Sequence, residues 1–233
     1  MDYRLWTKTI MFDHVYIVIP AKNEASRIGK VIGKSMSLGY RNIVVVNDGS
    51  LDDTVKVALS YNAKVVNHLI NLGPGAATQT GIEYAIEDGA KIIVTIDADH
   101  QQFPEDIEKL VYHLERNEVD VVIGSRFMNR ENQIPAIRIL YNMIANVITF
   151  ILTGLMVTDS QSGMKAFTAD FAKKCRLHFN GFEFCVEFIR NIRIFKATYS
   201  EVPIRVIYTK DTLSKGQNLL TGVKMIAKLF KFI

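Results

Sequence analysis

"VTIDADHQQFPEDIEKL", residues 94–110, joins a strand to a helix through a pair of carboxylates. Val94, Thr95 and Ile96 close "KIIVTI" (91–96), a run with the length and β-branched chemistry of a buried strand. Asp97 and Asp99 follow, one residue apart. Pro104 then opens a helix at its first position, where a missing N–H costs nothing. Ile107, Leu110, Val111 and Leu114 make that helix's buried stripe. A continuous apolar strand feeding an amphipathic helix is the unit of a parallel sheet covered on both faces.

The same alternation repeats on either side. "VYIVI" (15–19), "IVVV" (43–46), "KVV" (64–66) and "VDVVIG" (119–124) read as further strands. "EASRIGKVIGKSM", "DDTVKVALSYN" and "GAATQTGIEYAIEDG" read as the helices between them. In such sheets ligands bind beyond the carboxyl ends of the strands. Asp48, Asp97 and Asp99 fall there, as do residues 21–24 and Ser125-Arg126. The second half is different. "IPAIRILYNMIANVITFILTGLMV" (134–157) is a long, mostly apolar helix, "GMKAFT" a short strand and "FEFCVEFIRNIRIF" a helix. "YSEVPIRVIY" is an alternating strand whose Pro203 suits a sheet edge, and "NLLTGVKMIAKLFKFI" a basic amphipathic helix. The expected fold class is therefore α/β, a mostly parallel sheet with helices on both faces. Residues 1–233 are expected to form one domain, with membrane-facing helices at about 134–157 and 216–233.

Composition sets the outer bounds. The 233 residues are 48% hydrophobic and 22% charged, ordinary for a chain with a real core. A formal net charge of +4 is mildly basic and gives no ground for nucleic acid as a partner. The two cysteines, Cys175 and Cys185, form neither a metal-ligand spacing nor a disulfide framework, which fits a reducing compartment. "MDYRLWTKTIMFDH" lacks the continuous apolar core of a signal peptide, so a cytosolic start is expected.

Two carboxylates one residue apart at a strand end can reach one point in the cleft. Alone they repel, and one takes up a proton. Mg²⁺ or Mn²⁺ removes that cost, since hard cations use one or two carboxylates together with substrate phosphates. Asp97 and Asp99 are therefore candidates for a metal–diphosphate site. "NLGPGAATQTG" is no P-loop, because it lacks a Gly-Lys-Ser/Thr ending, and no dinucleotide fingerprint, because the third glycine is missing. It reads either as a glycine-rich helix entry or as part of a donor site.

"IVIPAKNEASRI", "VVVNDGSLDDT", "NLGPGAATQTGIEYA", "IDADHQ", "DVVIGSR", "DSQSGMKAF" and "EVPI…SK" occur in this order. Together they resemble the family 2 glycosyltransferases of the GT-A fold, in particular the polyprenol-phosphate (dolichyl-phosphate) mannose and glucose synthases. The resemblance spans about residues 14–222. It implies inverting, Mg²⁺- or Mn²⁺-dependent transfer of a sugar from a nucleotide diphosphate to a lipid phosphate. It further implies that Pro20, Lys22, Glu24, Asp48 and Ala98 bind the donor nucleotide, and that Asp97, Asp99 and Gln101 hold the metal and diphosphate. Arg126, Arg138 and Lys210 are implied to meet the acceptor or its phosphate, with Ser214 and Lys215 in a loop that closes over the phosphates. Asp159 is implied to lie at the reacting centre and to act in catalysis with Asp97 and Asp99.

The departures from that pattern carry information. Lys22 stands where many relatives have tyrosine, and Pro74 where some have lysine. Gln161 and Lys165 in "DSQSGMKAF" are closer to the glucose-type form, which favours a UDP-sugar over GDP-mannose. A hydroxyl acceptor would need a base, for which Asp159 and Glu183 are the candidates. A soluble hydroxyl-acceptor enzyme, a sugar nucleotidyltransferase and a non-catalytic binding module are the competing readings. The second lacks its basic glycine-rich loop after "IVIP". Asn142, Asn146, Thr149 and Thr153 put a polar stripe on the long apolar helix, and Lys224, Lys228 and Lys231 add charge to the last one. The expectation is a peripheral protein on the cytoplasmic face of a membrane.

Overall fold

The computed structural model describes residues 12–208. The C-terminal helix expected at 216–233, with Lys210, Ser214 and Lys215, lies outside the described residues. Seven strands form one sheet in the order β3-β2-β1-β4-β6-β5-β7. They are β1 (Val15–Ala21), β2 (Asn42–Asp48), β3 (Lys64–His68), β4 (Ile92–Thr95), β5 (Val121–Ser125), β6 (Lys165–Thr168) and β7 (Tyr199–Pro203). All run one way except β6, which is antiparallel to both β4 and β5. The sheet is thus mostly parallel, as expected from the sequence; β4 and β5 are not neighbours, because β6 slots between them from the other direction.

Alternate residues of each strand feed opposite faces. Val15, Ile17 and Ile19 of β1 enter one core with Ile28, Val31 and Ile32 of α1 (Ala25–Ser37), Ala58 of α2 (Thr54–Ser60) and Leu110 and Leu114 of α4 (Ile107–Arg116). Tyr16 and Val18 enter the other, with Ala77, Ile82 and Ala85 of α3 (Pro74–Glu87), Phe171 of α6 (Ala169–Lys174) and Phe188 and Ile192 of α7 (Phe184–Ile194). Each isoleucine buried this way contributes about 1.5–3 kcal/mol. Helix α6 was not anticipated; it is short and opens on Thr168, whose hydroxyl accepts the Phe171 N–H at 3.2 Å. Pro203 ends edge strand β7, as its missing N–H requires.

The long apolar helix is α5, Ala136–Thr153, closed by Gly154 in the left-handed conformation. Its buried residues are the polar ones, Asn142, Thr149 and Thr153. Asn142 and Asn146 both donate to the Thr158 carbonyl, at 3.0 and 2.8 Å, and Asn146 Oδ1 accepts the Ser160 N–H at 3.0 Å. The opposite side is apolar and open: Met143, Val147 and Ile151 are 59%, 58% and 68% exposed. The polar stripe read from the sequence faces the domain.

Candidate active site

Strand order reverses between β1 and β4, so the loops beyond their carboxyl ends part and leave a crevice. The β1 loop carries Pro20, Lys22 and Glu24. Asn23 adopts φ 53° and crosses to the β2 loop, donating its N–H to Ser50 Oγ at 3.0 Å and accepting the Leu51 N–H at 2.8 Å. Lys22 is exposed, and Glu24 pairs with Arg27 at 2.9 Å.

The β4 loop carries Asp97, Ala98, Asp99 and Gln101. Its shape is set by the Asp97 N–H donating to Gln102 Oε1 (3.1 Å), the Gln101 N–H donating to Asp99 Oδ1 (2.9 Å) and His100 at φ 59°. Gln102 is buried, and its backbone bridges to Val206; the Ile207 N–H donates to the Gln101 carbonyl at 2.9 Å. Residues 206–207 therefore lie beside the loop that holds Asp99. Burial raises the Asp99 carboxyl to about 6, with the Asp97 and Glu24 charges adding to it against the Gln101 N–H and Arg27. Burial also raises Asp97, against Lys165 and Arg126 and with Asp159.

Strand β6, running backwards, delivers its first residues to this same edge. Lys165 pairs in register with Thr95 of β4 and Ile123 of β5. It is buried, its Nζ donates to the Ser162 carbonyl, and it lies 5.5 Å over the Phe188 ring. Gly163 packs under the Asp97 carboxylate so closely that an added Cβ would stand 2.2 Å from Oδ2. Gln102, Gly163 and Lys165 complete the aspartate site, and sequence reasoning gave none of them that part.

Arg126 follows β5, and Asp159 follows the segment bound to α5. Arg126 donates through Nε to Asp159 Oδ2 and through Nη2 to Oδ1, each at 2.7 Å, and its backbone N–H adds a third bond at 3.0 Å. Asp159 is wholly buried. Burial would lower the guanidinium; the Asp159 charge and hydrogen bonds more than reverse this and fix it charged. Asp159 is thus occupied as the anchor of Arg126. Glu183 is buried just before α7. Arg138 lies in the first turn of α5.

Asp48 sits apart from the aspartate pair. Its oxygens accept the N–H groups of Leu72 (2.7 Å) and Gly73 (2.8 Å) and contact His68 Nδ1 at 2.9 Å. Burial raises its carboxyl, but His68 and the two N–H groups outweigh it and hold it below the ordinary value. Its oxygens thereby anchor the glycine loop to the end of β2. That loop turns through Gly73, φ 106°, into Pro74 at the start of α3, which is the helix-entry reading. Pro74 also lines a cavity of about 80 Å³ that Asp97, Gln161 and Lys165 share.

Among the described residues, no group of three or more His, Cys, Asp or Glu side chains could hold a metal unaided. The two hard oxygen donors of Asp97 and Asp99, each disfavoured as a bare charge, fit a divalent cation that takes its remaining ligands from a diphosphate.

The model for "Glycosyl transferase family 2" matches residues 16–176. An uncharacterized protein of Methanocaldococcus jannaschii is 40% identical over 93% of this chain and 91% of its own length. A UDP-N-acetylglucosamine–dolichyl-phosphate N-acetylglucosaminyltransferase of Methanococcus voltae is 35% identical over 92% of this chain and 94% of its own. The crystal structure of glucosyl-3-phosphoglycerate synthase from Mycobacterium tuberculosis, in complex with Mn²⁺, UDP and glucosyl-3-phosphoglycerate, superposes with a TM-score of 0.70 over 94% of this chain and 77% of that one, at 18% identity. The sheet order and helix placement are those of the GT-A fold.

Proposed function

Because the chain belongs to glycosyltransferase family 2, we propose that it is an inverting hexosyltransferase that moves a sugar from a UDP-sugar to a polyprenyl or dolichyl phosphate. The observation that carries the acceptor reading is α5, which turns its polar side chains to the domain and its apolar side outward. Asn146 ties that helix to Ser160, next to the Asp159 that holds Arg126. A lipid lying along α5 would bring its headgroup to this arginine. The Methanococcus voltae relative is named for a UDP-sugar donor and a dolichyl phosphate acceptor, which supports the same pairing.

Mg²⁺ or Mn²⁺ would be held by Asp97 and Asp99, with Gln101 as a further oxygen donor; the Mycobacterium tuberculosis neighbour is described with Mn²⁺. When bound, such a cation neutralises charge on the departing diphosphate. The chain's own groups do the rest. Lys165 balances the Asp97 charge from below. Pro20, Lys22, Glu24 and Ala98 line the nucleotide side of the crevice. Arg126, locked by Asp159, and Arg138 orient the acceptor phosphate, whose oxygen is already anionic near neutral pH and needs no strong base. Asp159 is in this scheme a positioning residue. The chain would work as one domain, peripherally at the cytoplasmic face of a membrane, held by α5 and by the basic residues 216–233.

The test is transfer from radiolabelled UDP-sugars and GDP-mannose to a short polyprenyl phosphate, with Mg²⁺. The expected product is organic-soluble label from a UDP-sugar, abolished by chelator and nearly abolished in Asp99→Asn. Arg138→Ala should raise the KM for lipid phosphate more than that for donor. Transfer to water-soluble hydroxyl acceptors alone would overturn the reading.

A further inference from the structure

The cavity beside Asp97 is also lined by residues of α3 and α7. Its apolar lining includes Pro74, Ile82 and the aromatic rings of Phe182, Phe184 and Phe188. Gln161 also lines the cavity. Both of its amide atoms are enclosed, and neither has a hydrogen-bond partner. Leaving such atoms unmade costs about 1–3 kcal/mol each, and an orphan of this kind in a native fold calls for a ligand, a water or a reason. Lys165 is already engaged with the Ser162 carbonyl and the Phe188 ring.

We infer that this cavity receives the 2-acetamido group of the donor sugar, so that the donor class is a UDP-N-acetylhexosamine and Gln161 is the residue that selects it; this rests on the UDP-sugar reading above. The chemistry matches group by group. An acetamido group is planar and carries one carbonyl acceptor, one N–H donor and one methyl. Gln161 offers one N–H donor set and one carbonyl acceptor, and the phenylalanine wall offers the methyl an apolar seat. The cavity, about 80 Å³, is well below the roughly 300 Å³ at which a drug-sized ligand is enclosed. It therefore takes a substituent, while the hexose ring stays outside, at Asp97. A bare hydroxyl, as in glucose or mannose, would leave the aromatic wall uncovered and half of the Gln161 amide unpaired. Among the described residues lining the cavity, a carboxylate would meet only Lys165, which is already committed.

Isothermal titration with UDP, UDP-glucose, UDP-glucosamine and UDP-N-acetylglucosamine, each with Mg²⁺, reads this directly. UDP-N-acetylglucosamine should bind at least about tenfold tighter than UDP-glucose or UDP-glucosamine, the scale at which a pocket discriminates one small group. In Gln161→Leu that ratio should collapse towards one, with thermal melting as the check on folding. The two-sugar comparison on the unaltered protein stands even if the variant misfolds. Equal or tighter binding of UDP-glucose, or an unchanged ratio in a folded Gln161→Leu, overturns the inference and leaves the UDP-sugar reading intact. Absence of UDP binding removes the UDP-sugar reading, and this inference with it.

Discussion

A methyl group on Gly163 would overlap the Asp97 carboxylate, with Oδ2 at 2.2 Å and Oδ1 at 2.4 Å from the new carbon. The glycine is needed for close approach rather than for an unusual turn. Gly163→Ala should push Asp97 off its position and cost about 100-fold in turnover, the scale of an ångström-size misplacement, with a melting temperature close to wild type. A melting temperature far below wild type would show that the site matters to the core instead. Asp99 allows a second test. Its folded carboxyl is raised to about 6, above its unfolded value, first by burial and then by the Asp97 charge. Its contribution to stability is therefore full at low pH and lost as pH rises through about 6. Metal-free protein should gain melting temperature on acidification from pH 7.5 to 5.5, and Asp99→Asn should flatten that gain; identical slopes in the two proteins would refute it. At this scale Asp97 and Asp99 were legible because a β-branched run visibly ends on them. Gly163, Lys165 and Gln102 were not, since their importance arises only when distant segments are brought against those carboxylates. Asp48 likewise stands visibly at the end of a β-branched run, whereas its bonds to Leu72, Gly73 and His68 arise only once the chain is folded.

Strand β6 and helix α5 account for most of what an element-by-element reading missed. Four residues, Lys165–Thr168, are too few to carry a direction in their pattern, so nothing in "KAFT" announces that it enters antiparallel. The strands β1 to β5 and helices α1 to α5 were recognisable from apolar runs and helical periodicity, because each buries a face that its own sequence defines. Helix α5 has an equally clear stripe, yet which side faces inward depends on the partner. The carbonyl of Thr158 and the N–H of Ser160 need hydrogen-bond partners, and Asn142 and Asn146 supply them. Two sets of substitutions should therefore behave oppositely. Asn142→Ala removes a buried donor to Thr158 and should cost about 1–2 kcal/mol in denaturant unfolding. The pair Ile144→Ser and Ile151→Ser lies on the open side and should change stability by less than about 0.5 kcal/mol, while greatly reducing flotation with anionic vesicles. Stability loss in the serine pair equal to that of Asn142→Ala would mean the outer face is covered by protein.

For the molecule as a whole, the sheet puts nucleotide chemistry and an uncovered apolar helix on one scaffold. On the reading proposed above, the donor arrives from three-dimensional solution at the crevice between β1 and β4. The acceptor, on the same reading, arrives along the outward side of α5, the helix whose sequence had the length and apolar character of a membrane-facing one. If that side lies in a lipid surface, the acceptor's relevant concentration is a number per area, not per volume. Adding inert phospholipid at constant bulk acceptor should then slow transfer in proportion to the acceptor's falling mole fraction, while the KM for UDP-sugar stays fixed. A rate that follows bulk acceptor alone would separate the enzyme from the surface. On that reading the outward-facing helix sets the dimensionality of the encounter, and with it the quantity a cell would have to change to alter the rate: the crowding of acceptor within the leaflet.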